Sequence, residues 1–157
     1  MGELTVFVVN FNTTDMTNAC VKRIIEHCSS YDFHIEVLDN STTDKFVLDV
    51  NDNRIKVIDN TRNQVIDYDV FVKNNCRGND KGNYASAKHS FAIDWMIKTC
   101  TTKNLLILDS DAFLTRDVDF IDENVCIVCE IGKAFYNRID LKRVFPVIAF
   151  INVELFR

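Results

Sequence analysis

Leu105-Leu106-Ile107-Leu108-Asp109-Ser110-Asp111-Ala112-Phe113-Leu114 sets an unbroken apolar run against two carboxylates one residue apart, with apolar residues following at once. A run of that kind reads as a strand buried on both faces, as in a parallel sheet covered by helices. It delivers Asp109 and Asp111 out of the core at the strand's carboxyl end. Two carboxylates so placed can hold a hard divalent cation through oxygen, and the cation's open positions can bridge a diphosphate. Elsewhere in a chain an Asp-x-Asp is more often a turn cap beside a solvated side chain. Its position behind a buried strand reverses that balance.

Immediately upstream, Ala85, His89, Ile93 and Ile97 recur at helical spacing beside Ala92 and Met96, which predicts a helix from Asn83 to Thr99. At the other end of the chain Leu4 to Asn10 is a second nearly continuous apolar run. A helix is predicted behind it from about Asp15 to Cys28, with Met16, Cys20, Ile24 and Cys28 every fourth residue and Thr13 and Thr14 as capping candidates. Phe33 to Leu38 and Ile55 to Ile58 predict two more strands, ending in the polar turn Asp39-Asn40-Ser41-Thr42-Thr43-Asp44 and at Asp59-Asn60. Asn60 to Gly82 is polar and irregular apart from an alternation over Tyr68 to Val72, and reads as loop with one short element. Downstream of the Asp pair, Val125 to Cys129 reads as a buried strand. The order strand, helix, strand, strand, helix, strand implies an α/β sheet. Ligands of such sheets bind beyond the carboxyl ends of the strands, where the sequence places Asn10-Phe11-Asn12, Asp39-Asn40 and Asp109-Ser110-Asp111.

Composition narrows the classes. A chain of 157 residues, 47% hydrophobic, with four Gly, one Pro and no internal repeat, fits a single domain without a linker. The net charge of −5, with both signs scattered, offers no basic stripe for a phosphate backbone, which argues against a nucleic-acid partner. The run Val6 to Val9 lacks a basic leader and is too short for a signal peptide or a transmembrane segment. Val6 stands where myristoylation wants Ser or Thr, so the expectation is a soluble, cytoplasmic protein. The six cysteines sit mostly in apolar segments, as reduced thiols do, and Cys126 and Cys129 are offset so as to face opposite sides of a strand, which argues against zinc.

Val8-Val-Asn-Phe-Asn12-Thr-Thr-Asp15, Leu38-Asp-Asn-Ser-Thr-Thr-Asp44, Gly82-Asn-Tyr-Ala-Ser-Ala-Lys88-His89 and the Asp pair together resemble, in order and spacing, the GT-A glycosyltransferases, and within them the inverting family 2 enzymes. The resemblance covers roughly residues 4 to 115. It implies a GT-A type fold, a Rossmann-like, mostly parallel sheet flanked by helices, with a nucleotide-sugar-binding part over 4–115 and a partial acceptor part over 116–157. It also implies that Phe11 and Asn12 border the base, that Asp39 hydrogen-bonds a uracil-type ring edge with Asn40 nearby, and that Lys88 and His89 lie near the ribose and diphosphate. Asp109 would reach the ribose or a metal-bound water and Asp111 would bind the metal directly, the pair holding Mn²⁺ or Mg²⁺ given an oxygen-only ligand set. A carboxylate facing a ring N–H and an aromatic face for stacking suit a uridine-type donor. The bland roles stay open beside these: a turn cap for Asp39, a core position for Phe11, a solvated lysine for Lys88 and a satisfied, half-buried histidine for His89.

The donor implied is a nucleotide-diphosphate sugar, and the acceptor a saccharide, lipid or protein. The family places its catalytic base, and a late metal-binding His, well beyond the Asp pair, in a region that this chain is too short to contain. Asp117, Asp119, Asp122, Glu123, Glu130, Asp140 and Glu154 follow without a motif, so no catalytic residue is assigned. Two rival readings remain. One is a nucleotide-sugar-binding domain without turnover. The other is a haloacid-dehalogenase-type phosphatase, which would want Thr or Val where Phe113 stands.

Overall fold

The computed structural model describes residues 2–69, 84–119, 124–136 and 139–157, with backbone alone over 84–87, 129–136 and 139–147. In chain order these form β1 (Glu3–Asn10), α1 (Thr14–His27), β2 (Asp32–Asp39), β3 (Ile55–Asp59), α2 (Tyr84–Thr99), β4 (Asn104–Asp109), β5 (Ile127–Tyr136), β6 (Ile139–Asn152) and the short α3 (Val153–Phe156). The two apolar strands, β1 and β4, lie side by side at the centre of one sheet of order β3-β2-β1-β4-β6-β5. From β3 to β4 all neighbours are parallel, and β6 and β5 are added antiparallel.

Each central strand is divided between two cores by its period of two. Leu4, Val6 and Val8 of β1, Ile35 and Val37 of β2, and Leu106 and Leu108 of β4 pack with Cys20, Val21 and Ile24 of α1. Phe7, Leu38, Leu105 and Ile107 face the other way, against Ala92 and Met96 of α2. Phe150 of β6 joins the first core and Ile151 the second, so the antiparallel strand is locked into both layers. Each such apolar side chain stabilises the fold by about 1.5–3 kcal/mol when fully buried. The mixed, mostly parallel α/β architecture expected from the sequence is the one observed.

Three expectations shift. Met16 is 43% exposed, and the buried stripe of α1 runs through Thr17, Cys20, Val21, Ile24 and Cys28. Each four-residue step overshoots a turn by roughly 40°, so a strict fourth-residue row drifts off the buried face. The strand expected from Val125 starts at Ile127, leaving Cys126 before it and Val125 exposed. Among the described residues β5 is the sheet's outer strand and has a single neighbour, which leaves its first residues in solvent. Thr13 stands at the N-cap of α1, but its hydroxyl does not cap the helix. Cys20, Cys28, Cys100 and Cys126 are free thiols, as expected, while Cys76 and the Cys129 side chain lie outside the described residues. Among the described residues no helix is long and apolar enough to cross a membrane.

Candidate active site at the carboxyl ends of the parallel strands

Asp59, Asp39 and Asn10 are register partners across β3, β2 and β1, and Asp109 sits opposite Val9 on β4. Four neighbouring strands thus end together in polar side chains. Asn10 fastens that edge. Its buried amide donates to Asp39 Oδ1 at 2.9 Å and to Ser41 Oγ at 2.8 Å, while its oxygen accepts from Thr17 at 2.7 Å and Thr13 at 3.2 Å. The Thr13 hydroxyl also lies 3.2 Å from that of Ser110, between the two aspartates. This is why Thr13 does not cap its helix: its hydroxyl is committed to the end of β1 and to the turn after β4.

Asp39 is fully buried. Its Oδ1 accepts from Asn10 and from the Ser41 backbone N–H at 3.0 Å, and its Oδ2 from the Phe46 N–H at 2.8 Å. It therefore shapes the loop over 40–46, and a contact to a base edge would have to use its one remaining lone pair. Asn12 has φ of 55°, a left-handed conformation that Asn tolerates better than most residues. Its oxygen accepts from the Thr42 and Thr43 N–H groups at 2.9 and 3.2 Å, clipping the same loop. Asn40 donates to Tyr68 Oη at 2.9 Å and accepts from Asn60 at 2.8 Å. Asn60 in turn accepts from the Val65 and Ile66 N–H groups. Burial pushes the Tyr68 hydroxyl up to about 12, against the smaller opposing effect of the Asn40 hydrogen bond. Lys88 lies with Nζ 5.3 Å from the Tyr68 ring centroid, at the site end of α2. Phe11 is 49% exposed and Phe113 45%, so two phenyl rings stand at the sheet's carboxyl edge without a core role.

On the opposite side of the edge, Asp109 Oδ1 faces His89 Nε2 at 3.2 Å. The approach lacks a hydrogen-bonding angle, and among the described residues neither atom finds another partner although both atoms are buried. Burial holds the Asp109 carboxyl above its usual range; His89 opposes that shift and the neighbouring Asp111 adds to it. Asp109 closes a tight turn by accepting the Ala112 N–H at 2.9 Å through its backbone oxygen, and Asp111 projects into solvent at the tip. A buried carboxylate oxygen with no donor, next to a second carboxylate, fits a hard cation better than a turn cap. Among the described residues no group of three His, Cys, Asp or Glu side chains is disposed around a metal. The candidate ligands among the described residues are the two carboxylates, which suits a cation completed by phosphate and water.

The chain then runs down the face of α1. The Arg23 guanidinium donates to the Leu114 carbonyl at 2.8 Å, Val118 N–H to the His27 carbonyl, and Asp117 contacts His27 at 3.0 Å. α1 runs antiparallel to β1, so Asp117 lies at the far end of the helix from Asp109 and is removed as a candidate base. Glu154 is exposed on α3, which follows the end of an antiparallel strand. Gly82, Asn83, Val70 to Val72, Asp122 and Glu123 lie outside the described residues, as do the side chains of Glu130 and Asp140.

No protein-family model and no curated protein sequence matches this chain. Its fold superposes on solved glycosyltransferases. The galactosyltransferase LgtC, in complex with donor and acceptor sugar analogues, matches at a TM-score of 0.64 and 12% identity over 98% of this chain and 59% of that one. The bifunctional glycosyltransferase WbbM matches at 0.60 and 13% over 98% of this chain and 32% of that one. The mannosyltransferase PcManGT from Pyrobaculum calidifontis, in complex with GDP-Man and Mn²⁺, matches at 0.54 and 13% over 98% and 45%. The chain has the GT-A fold of these enzymes, and spans between about a third and three fifths of their lengths.

Proposed function

We propose that this chain is the nucleotide-sugar-binding part of a metal-dependent glycosyltransferase of family 2 type, with a uridine diphosphate sugar as donor. The observation that carries the reading is the buried, donor-less Asp109 Oδ1 beside Asp111 at the end of the central strand. Asp109 and Asp111 hold Mn²⁺ or Mg²⁺, which when bound neutralises charge on the departing diphosphate. Phe11 supplies a stacking face for the base. Asn12, Asp39 and Asn40 form the base-side wall, with Asp39 acting mainly through the loop it organises. Lys88 meets the diphosphate by leaving its aromatic contact, and His89 screens the Asp pair on the ribose side. An inverting transfer needs a carboxylate base near the acceptor hydroxyl. None of the residues gathered here takes that role, and the acceptor is left as a saccharide, lipid or protein.

Calorimetric titration of uridine diphosphate with and without Mn²⁺, repeated on Asp111→Ala, tests the proposal. Binding should require the metal and weaken by at least roughly tenfold in the variant, a difference of about 1.4 kcal/mol. Equal affinity with and without Mn²⁺, or no binding of either uridine or guanosine diphosphate, would sink it. Tight binding of guanosine diphosphate alone would overturn the choice of base and keep the rest. Binding without sugar transfer to any acceptor would favour a binding domain over an enzyme.

A further inference from the structure

β2 carries a pattern that a strand covered by helices on both faces should not show. Its α1 face is apolar, but on its α2 face Leu38 is preceded by Glu36 and His34. Polar side chains inside a sheet-helix layer are costly unless they are satisfied. Here they are satisfied by each other, and a gap lies beside them. Thr5 accepts or donates at 3.0 Å to His34 Nε2 and is 2.7 Å from the Thr102 hydroxyl, while Glu36 Oε1 accepts from Lys56 Nζ at 3.2 Å. Thr5 and His34 are register partners, as are Glu36 and Lys56, so the four form two adjacent rungs. Opposite these rungs stand Trp95 and Thr99, near the carboxyl end of α2. The slot between sheet and helix has a volume of about 230 Å³.

We propose that this slot binds a single neutral sugar ring, at a place distinct from the Asp pair. Thr5 is four residues back from Val9, the register partner of Asp109, or roughly 13 Å along the strand at about 3.3 Å per residue. Trp95, held against Phe7 with ring centroids 6.5 Å apart, gives an apolar wall for the C–H face of a pyranose. Glu36 has a second carboxylate oxygen to accept from a hydroxyl, His34 meets Thr5 through Nε2 and among the described residues shows no partner at Nδ1, and the Lys56 ammonium has N–H groups left after its bond to Glu36. A few convergent polar groups on an aromatic wall is the usual design of a small-ligand pocket. Charge decides the ligand class. Lys56 is already neutralised by Glu36, so the slot offers no net positive charge to a phosphate or a nucleotide. The donor, acceptor and aromatic inventory is that of a polyhydroxylated, uncharged ring. The inference stands independently of the nucleotide site.

Trp95 is the chain's single tryptophan, so its emission reports on this slot directly. The full chain, without nucleotide or metal, is titrated with methyl glucoside, methyl galactoside and N-acetylglucosamine, and in parallel with glucose 6-phosphate and inorganic phosphate. The expected result is a saturable change in emission with at least one neutral sugar in the millimolar range. Glu36→Gln, which removes the charged acceptor, should weaken it by roughly tenfold. Thr99→Phe, at an exposed helix position, should abolish it by filling the slot, and serves if Glu36→Gln fails to fold. Asp111→Ala should leave it unchanged. The proposal is overturned if no neutral sugar gives saturation below about 100 mM, where affinity would be negligible. It is equally overturned if only the phosphates bind, if neither slot variant alters binding, or if Asp111→Ala removes it.

Discussion

Asn10 closes a strand that reads as a nearly continuous apolar run, and its amide holds four partners drawn from β2, the loop behind it, and α1 with its N-cap. Replacing it with Ala leaves Asp39 and three hydroxyls short of partners in a buried setting, at about 1–3 kcal/mol for each group that stays unsatisfied. A loss of about 4 kcal/mol is expected, or about 10 °C in Tm for a chain of this size, read by thermal unfolding. Asn12 is a different case, because its cost is split between backbone and side chain. Asn12→Gly and Asn12→Ala both lose the bonds to Thr42 and Thr43, but only Gly adopts φ of 55° without strain. The Gly variant should be the more stable by about 1 kcal/mol, measured by urea unfolding; an Ala variant of equal or greater stability would mean that the left-handed turn is not maintained. The polar convergence at 10–12, 39–40 and 109–111 was legible in the sequence, since strand ends in a parallel sheet must share an edge. The partnerships were not legible. A side-chain amide that grips a backbone thirty residues away leaves no periodic trace, so Asp39 reads as a ligand group when its three hydrogen bonds make it first the organiser of a loop.

At the scale of elements, types came through and faces only in part. The apolar runs that became β1 and β4 leave no alternative, whereas the fourth-residue row Met16, Cys20, Ile24 and Cys28 is buried except at Met16. α1 turns Cys20 and Cys28 into the core, and burial pushes both thiols up from 9.0 to about 12, with lesser help from Asp111 and Asp109 at Cys20 and from Asp117 at Cys28. The sign is that of a group whose folded pKa lies above its unfolded one. The stabilising effect is complete below pH 9 and disappears as the pH rises from 9 towards 12, because the unfolded chain releases protons that the folded chain retains. Urea midpoints should therefore fall between pH 8 and pH 10.5, and fall less in a Cys20→Ala, Cys28→Ala double variant. The same burial predicts that neither thiol reacts with iodoacetamide at pH 8 in the native protein, while both react in urea. Native labelling of Cys28 at the rate of an exposed thiol would contradict its place in the core.

For the molecule as a whole, the sequence divides at about residue 115 into a nucleotide part and an acceptor part, but the sheet does not respect that division. β6 returns antiparallel between β4 and β5, a pairing over more than thirty residues for which local pattern carries no signal. Leu105 to Leu108 are each paired on that side, from Ile151 to Ile148, and Phe150 and Ile151 fill one core each. A chain cut after Asp119 would bare the whole free edge of β4 and remove both side chains. It would thereby lose about 3–6 kcal/mol from these two side chains alone, before the ladder is counted. Domains hold only about 5–15 kcal/mol in total, so the fragment 1–119 should show no cooperative melt by circular dichroism. The full chain should unfold in one step, with ellipticity and Trp95 emission tracing the same curve. If the fragment melts cooperatively instead, the nucleotide part folds alone and the antiparallel strand is an addition to it. If it does not, the strand that carries the Asp pair owes its position to residues forty places downstream, and the site and the C-terminal part form one folding unit.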